Sequence, residues 1–152
     1  MPGRGKGSVV IDVPSVSLDE AKAVIAAGEV EARRIGQPSN IAVVDAGANL
    51  VAHIRMDGAW IGSVDISINK AFTARAFDSS TADLGADAQP GAQFYGIHVS
   101  NAGRVRIFAG GIPLRHDGRI VGAVGVSGGT GAQDQAVAEA AAAAFEPADG
   151  PA

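Results

Sequence analysis

The sequence predicts an α+β fold: an antiparallel sheet of about five strands with helices covering it. Three observations carry this. Capping boxes at Ser17-Leu-Asp-Glu20 and Thr130-Gly-Ala-Gln133 open alanine-rich helices near the two ends of the chain. Tight-turn signals at Asp45-Ala-Gly-Ala-Asn49 and His116-Asp-Gly-Arg119 sit between apolar runs, as hairpins require. Hairpin connections, with no regular strand–helix alternation, exclude a parallel sheet.

The first helix starts at Ser17, whose hydroxyl meets an orphan N–H while Glu20 reaches back. It runs to Arg33, Arg34 and Ile35, where cations suit the dipole, and Gly36 and Pro38 stop it. Residues 41–44 read as a strand. After the turn, 50–56 alternates, with Leu50, Ala52, Ile54 and Met56 on one face and Val51, His53 and Arg55 on the other. Asp57-Gly58 ends it. Residues 63–78 form a helix with two stripes, one of Val64, Ile68, Ala71, Phe72 and Arg75, the other of Ile66, Lys70, Thr73 and Phe77. Because a domain of this size covers one side of such a helix, the second stripe predicts a homo-oligomer contact near Ile66, Thr73 or Phe77.

A short helix at 81–88 precedes Pro90, and 91–103 has no readable period. Residues 105–108 are expected as a strand, followed by a bend at Gly110-Gly-Ile-Pro113, the 116–119 turn and a strand at 119–127, a three-strand meander. Gly122 and Gly125 are expected where a neighbouring element comes too close for a side chain. The last helix runs from the second capping box to Phe145.

Length and composition bound the function. The 152 residues fit one domain, divided as an arm (1–16), a single domain (17–145) and a flexible tail (146–152). Twelve Lys+Arg against sixteen Asp+Glu give a net charge of −4, without the basic footprint of a nucleic-acid binder. Cysteine is absent, which excludes disulfides, thiolate metal sites and Cys nucleophiles. No run approaches the roughly 18 apolar residues of a membrane span. The charged start has no apolar stretch behind it, so a cytoplasmic protein is expected.

Gly128-Gly-Thr-Gly131 lacks the Lys of a phosphate loop and follows an antiparallel strand. It reads as a glycine-rich cap or as free amides for a carboxylate. Among the histidines, His116 belongs to a turn and His98 reads as a satisfied, half-buried side chain. His53 lies two residues from Arg55 on one strand face, so a neutral imidazole and a cation project together. Lys70 is either a stem on a helix surface or a partly buried cation for an anionic ligand. Asp45, Asp57, Asp117 and Asp134 fall at turns or caps, where aspartate is expected. No H-E-x-x-H, G-x-S-x-G or paired-His spacing occurs. The residues alone lead to an α+β domain with a small-ligand pocket.

Several segments together resemble one family, the GlcG/HbpS-type haem-binding proteins, which also form the C-terminal domain of PduO-type proteins. They are Val43-Val-Asp-Ala-Gly47, Leu50 through Arg55-Met-Asp-Gly-Ala59, and Asn69-Lys-Ala-Phe-Thr-Ala74 with Phe77. Gly110-Gly-Ile-Pro113 and Asp117-Gly-Arg-Ile-Val-Gly-Ala-Val-Gly-Val-Ser-Gly-Gly129 with Asp134 complete them. The resemblance runs from about Ser17 to Phe145. It implies a profilin-like sheet with helices on both faces, oligomers that are often octamers, haem or another tetrapyrrole as ligand, and roles in haem or iron handling or degradation. The adenosyltransferase domain of PduO-type proteins has no counterpart here, so cobalamin adenosylation is not expected. With Cys absent, His53 is expected either as the axial ligand and metal donor, with Arg55 near a propionate, or as a hydrogen-bonding side chain at the oligomer contact; Lys70, Gly128 and Gly129 complete the expected ligand-binding set. The alternative is a small accessory enzyme or binding protein for a carboxylate-bearing metabolite, using Arg55, Lys70 and the glycine cap.

Overall fold

Ser17 opens α1 (Leu18–Arg34) as its chemistry dictates: Glu20 N–H donates to Ser17 Oγ at 3.2 Å and Ser17 N–H to Glu20 Oε1 at 3.0 Å. The computed structural model describes Gly7 and residues 9–145; the expected flexible tail, 146–152, lies outside the described residues. After α1 come β1 (Asn40–Asp45) and β2 (Leu50–Arg55), α2 (Gly62–Phe77), and the short α3 (Thr81–Asp87). Two 3₁₀ turns (Ile97–Val99 and Asn101–Gly103) precede β3 (Gly111–His116), β4 (Arg119–Ser127) and α4 (Gly131–Phe145).

The strands form one antiparallel sheet in the order β2-β1-β4-β3. β1 and β4, the strands at the centre, are buried along nearly their whole length. Alternation sorts their side chains onto two faces. On one, Ile41, Val43, Val124 and Val126 pack beneath Val24 and Ile25 of α1 and Val137, Ala138 and Ala141 of α4. Small residues let the two helices lie close. A Cβ on Gly28 would come within 3.0 Å of Ile41 Cδ1 and 3.2 Å of the Ala141 Cβ. On the other face, α2 lays Ala71 and Ala74 on Ala42, Val44 and Ala123. Gly125 makes that approach possible, since a Cβ there would meet the Ser67 carbonyl and lie 2.5 Å from Ala71 N. A Cβ on Gly122 would meet the Val44 carbonyl. Both glycines sit where close packing was expected. Among the described residues no helix is long and apolar enough to cross a membrane.

The sheet has four strands rather than about five. Residues 105–108 lie over the outer side of α2: Arg106 N–H donates to Thr73 Oγ1 at 3.0 Å and the Arg104 guanidinium stacks 3.7 Å from the Phe72 ring. They could not extend the sheet beside β3, whose edge is closed. Gly111 N–H donates to Thr81 Oγ1 at 2.9 Å, and Pro113 has no N–H to offer. The expected meander is therefore a two-stranded hairpin, turned by Asp117 and Gly118 at φ 50° and 74°. The same loop buries Thr73 within one chain, so part of the second α2 stripe is covered from inside.

A second difference lies in β2. Val43 pairs with Ala52 but Val44 pairs with Leu50, which leaves Val51 as an extra, bulged residue. Val51 thereby joins Ala52, Ile54 and Met56 against the core, and Leu50 is exposed.

Candidate functional site

Two groups of polar side chains stand out, both on the α2 side of the sheet. The first lies along β2. Register sets Arg55 beside Asn40 beside Ser127 in one cross-strand row, and His53 beside Ala42 beside Gly125 in the next. His53 and Arg55 thus share the face under α2, as their spacing predicted. α2 packs chiefly on β4 and β1, so these two side chains occupy its flank at the sheet edge.

His53 is half-buried, and its Nε2 is sealed from solvent with no hydrogen-bond partner among the described residues. Burial pushes its pKa below the ordinary 6.5, so the ring is neutral at pH 7 and carries a lone pair. A buried ring nitrogen without a partner costs about 1–3 kcal/mol in either tautomer. Arg55 is exposed, with no carboxylate in ion-pair distance among the described residues. Asn40, which sequence reasoning passed over, is fully buried. It donates from Nδ2 to the Trp60 carbonyl at 3.0 Å, and its Oδ1 has no partner among the described residues. Trp60, whose backbone thus meets this row, is 66% exposed.

The second group joins both faces past the end of β4. Lys70, on α2, is fully buried and donates to the Val126 carbonyl at 2.8 Å and to Asp134 Oδ2 at 2.9 Å, with the Phe108 ring 5.0 Å away. Asp134, in the first turn of α4, accepts from Gly129 N–H through Oδ1 at 3.0 Å. Burial pushes Lys70 below the ordinary ammonium range and Asp134 above the carboxylate range, and each charge opposes the other's shift. The structure therefore brings Lys70, Gly128 and Gly129 together around Asp134, at the end of β4, two strands across the sheet from His53 and Arg55.

Gly128 and Gly129 are needed for close approach. A Cβ on Gly128 would lie 2.5 Å from the Pro38 carbonyl, and one on Gly129 would collide with the Gln133 side chain. The Gly129 and Thr130 amides already have Asp134 and Gln133 as acceptors, so the glycine-rich cap is internally satisfied. Beside it a cleft of about 250 Å³ is lined by Gln37, Gly58, Trp60, Gly128, Gly129, Thr130 and Gln133.

His116 is exposed beside Asp117 at 3.3 Å, as a turn residue. His98 differs from expectation. Its ring meets Tyr95 edge-on at 5.9 Å, but Nδ1 is buried without a partner. No three His, Asp or Glu side chains gather as a metal cage among the described residues.

A four-stranded antiparallel sheet covered by helices on both faces, with a half-buried imidazole and an exposed guanidinium on one flank, defines a small α+β domain with a candidate ligand site. Residues 16–143 match the family described as "Haem degrading protein HbpS-like". The chain belongs to the HbpS-like family. It is 43% identical over 129 residues to an uncharacterized 15.0 kDa protein from the dhaT–dhaS intergenic region of Citrobacter freundii, covering 85% of this chain and 91% of that one. Among solved structures, Klebsiella pneumoniae protein ORFY superposes with TM-score 0.90 at 36% identity, over 95% of this chain and 100% of that one. The complex of PduOC with haem superposes with TM-score 0.81 at 33% identity, over 85% of this chain and 94% of that one.

Proposed function

We propose that the protein binds haem, which His53 would hold by a ring nitrogen on the iron and Arg55 by a propionate. The observation that carries this reading is the unpartnered, neutral Nε2 of His53. A tetrapyrrole supplies four of the iron's ligands itself, so one imidazole donor is enough, where a bare ion would need a cage of side chains. Kinship with a protein solved with haem, and a family described as haem degrading, supports the same ligand. When bound, the haem brings a redox-active iron.

The chain's own contribution is to hold His53 in the uncharged, lone-pair form and to set a fixed cation two residues along the same strand. Lys70, Gly128 and Gly129 enter this reading as the groups that lock α2 to the start of α4 and border the cleft beside Trp60. Titration with haemin tests the proposal. A Soret band that shifts and saturates at one haem per chain is expected, and His53→Ala should remove it while His116→Ala does not. His98→Ala is the necessary comparison, because His98 also keeps an unanswered nitrogen.

The working unit in this reading is a homo-oligomer. Met56 N–H donates to the Ser39 carbonyl, so alternation along β2 turns the backbone groups of His53 and Arg55 toward the open edge of the sheet. Unlike the β3 edge, nothing among the described residues pairs with it. Ile61, Phe77 and Phe108 add exposed apolar surface at 78%, 37% and 48%.

A further inference from the structure

We propose that the entry to α2 is a second binding site, for a small organic acid carrying a hydroxyl or amine donor next to its carboxylate. It goes beyond the haem reading, with which it shares Arg55 and the rim of the cleft beside Trp60.

α2 starts without a cap. Ile61, at the capping position, already has helical dihedrals (φ −60°, ψ −43°) and no side chain bonds to the first turn. The Ser63 and Val64 amides donate back to the Trp60 and Ile61 carbonyls at 3.1 Å, while the amides of Ile61 and Gly62 find no acceptor among the described residues. Free amides at the positive end of a sixteen-residue helix attract an anion. The approach is open, since a Cβ on Gly62 would touch nothing within 4 Å. Arg55 adds a guanidinium without an ion-pair partner among the described residues, in the row next to Asn40.

The helix end alone would specify only negative charge. Asn40 specifies more. Its Nδ2 is tied to the Trp60 carbonyl at 3.0 Å, which holds the amide plane at the helix entry, and its fully buried Oδ1 finds no donor among the described residues. An unanswered acceptor beside anion-seeking amides fits a ligand that presents a carboxylate and, next to it, a hydrogen to donate. Trp60 is also a wall of the adjoining cleft of about 250 Å³. That is below the roughly 300–1,000 Å³ of pockets for drug-sized ligands, so the cleft suits a smaller molecule. A haem is far too large for it.

Lactate and propionate differ by the one hydroxyl in question, and Trp60 is the single tryptophan of the chain, so its fluorescence reports locally. Titrating the full chain with each at low salt should show lactate binding about tenfold more tightly, the size of one buried hydrogen bond gained. Arg55→Gln should weaken both acids and keep their ratio; Asn40→Ala, if it folds, should bring lactate down to propionate. The ratio in the unaltered chain needs no variant. Equal affinities, or no response of Trp60 to either acid at concentrations far above a millimolar site, would overturn the proposal. His53→Ala should leave these titrations unchanged, so the two readings fail separately.

Discussion

Removing Lys70 alone leaves Asp134 sealed from solvent with only the Gly128 and Gly129 amides beside it and no cation among the described residues. Lys70→Met should therefore cost about 3–5 kcal/mol in denaturant unfolding, whereas Lys70→Met with Asp134→Leu should recover most of that loss. A single variant as stable as the parent would show that water reaches the pair. Gly125 tests packing at the same scale. Its missing Cβ is replaced by the Ser67 carbonyl and the Ala71 backbone, neither of which can rotate away. Gly125→Val should cost about 1–3 kcal/mol or more, and an unchanged denaturant midpoint would mean that α2 does not press on the sheet there. The glycines were legible because a strand face of small residues signals a close neighbour. The Lys70–Asp134 pair was not: its partners are 64 residues apart, and each alone has an ordinary local explanation.

Edge strand β2 joins stability to the candidate site. His53 has a lowered pKa in the folded chain, so the unfolded chain takes up its proton first as pH falls. The stability present above the unfolded value of 6.5 should be lost progressively as pH drops below it, toward the folded value. His53→Gln should flatten this part of the profile in midpoints measured between pH 8 and 5. An equally steep profile in the variant would place the titration elsewhere. Elements whose signals are local were readable in advance. Ser17 with Glu20, Thr130 with Gln133, and the Asp117-Gly118 turn each act within four residues, and each forms as its sequence implies. The bulge at Val51 was hidden, because the pairing partner across the ladder decides it. The path of 105–108 was hidden for a similar reason: Thr73, Phe72 and the closed edge of β3 hold it over α2, and none is near in sequence.

At the scale of the whole molecule, the described residues leave the β2 edge unpaired and Ile61, Phe77 and Phe108 in solvent. Sedimentation at micromolar concentration should find an assembly larger than one chain, and a monomer throughout would contradict the homo-oligomer. Fold and family were legible from glycine-rich segments spread over most of the chain, because those segments are the turns and close contacts that this fold requires. The candidate site was legible only as the spacing of His53 and Arg55; the row through Asn40, with its bond to Trp60, became visible once register placed the strands. The central claim is that His53 ligates haem iron. The most direct measurement is a haemin titration of the parent chain alongside His53→Ala, His98→Ala and His116→Ala, followed by the Soret band at pH 7. A saturable band at one haem per chain, kept by the His98 and His116 variants and lost in His53→Ala, is the predicted result. An unaltered spectrum in His53→Ala, or no binding above background by the parent, would contradict it.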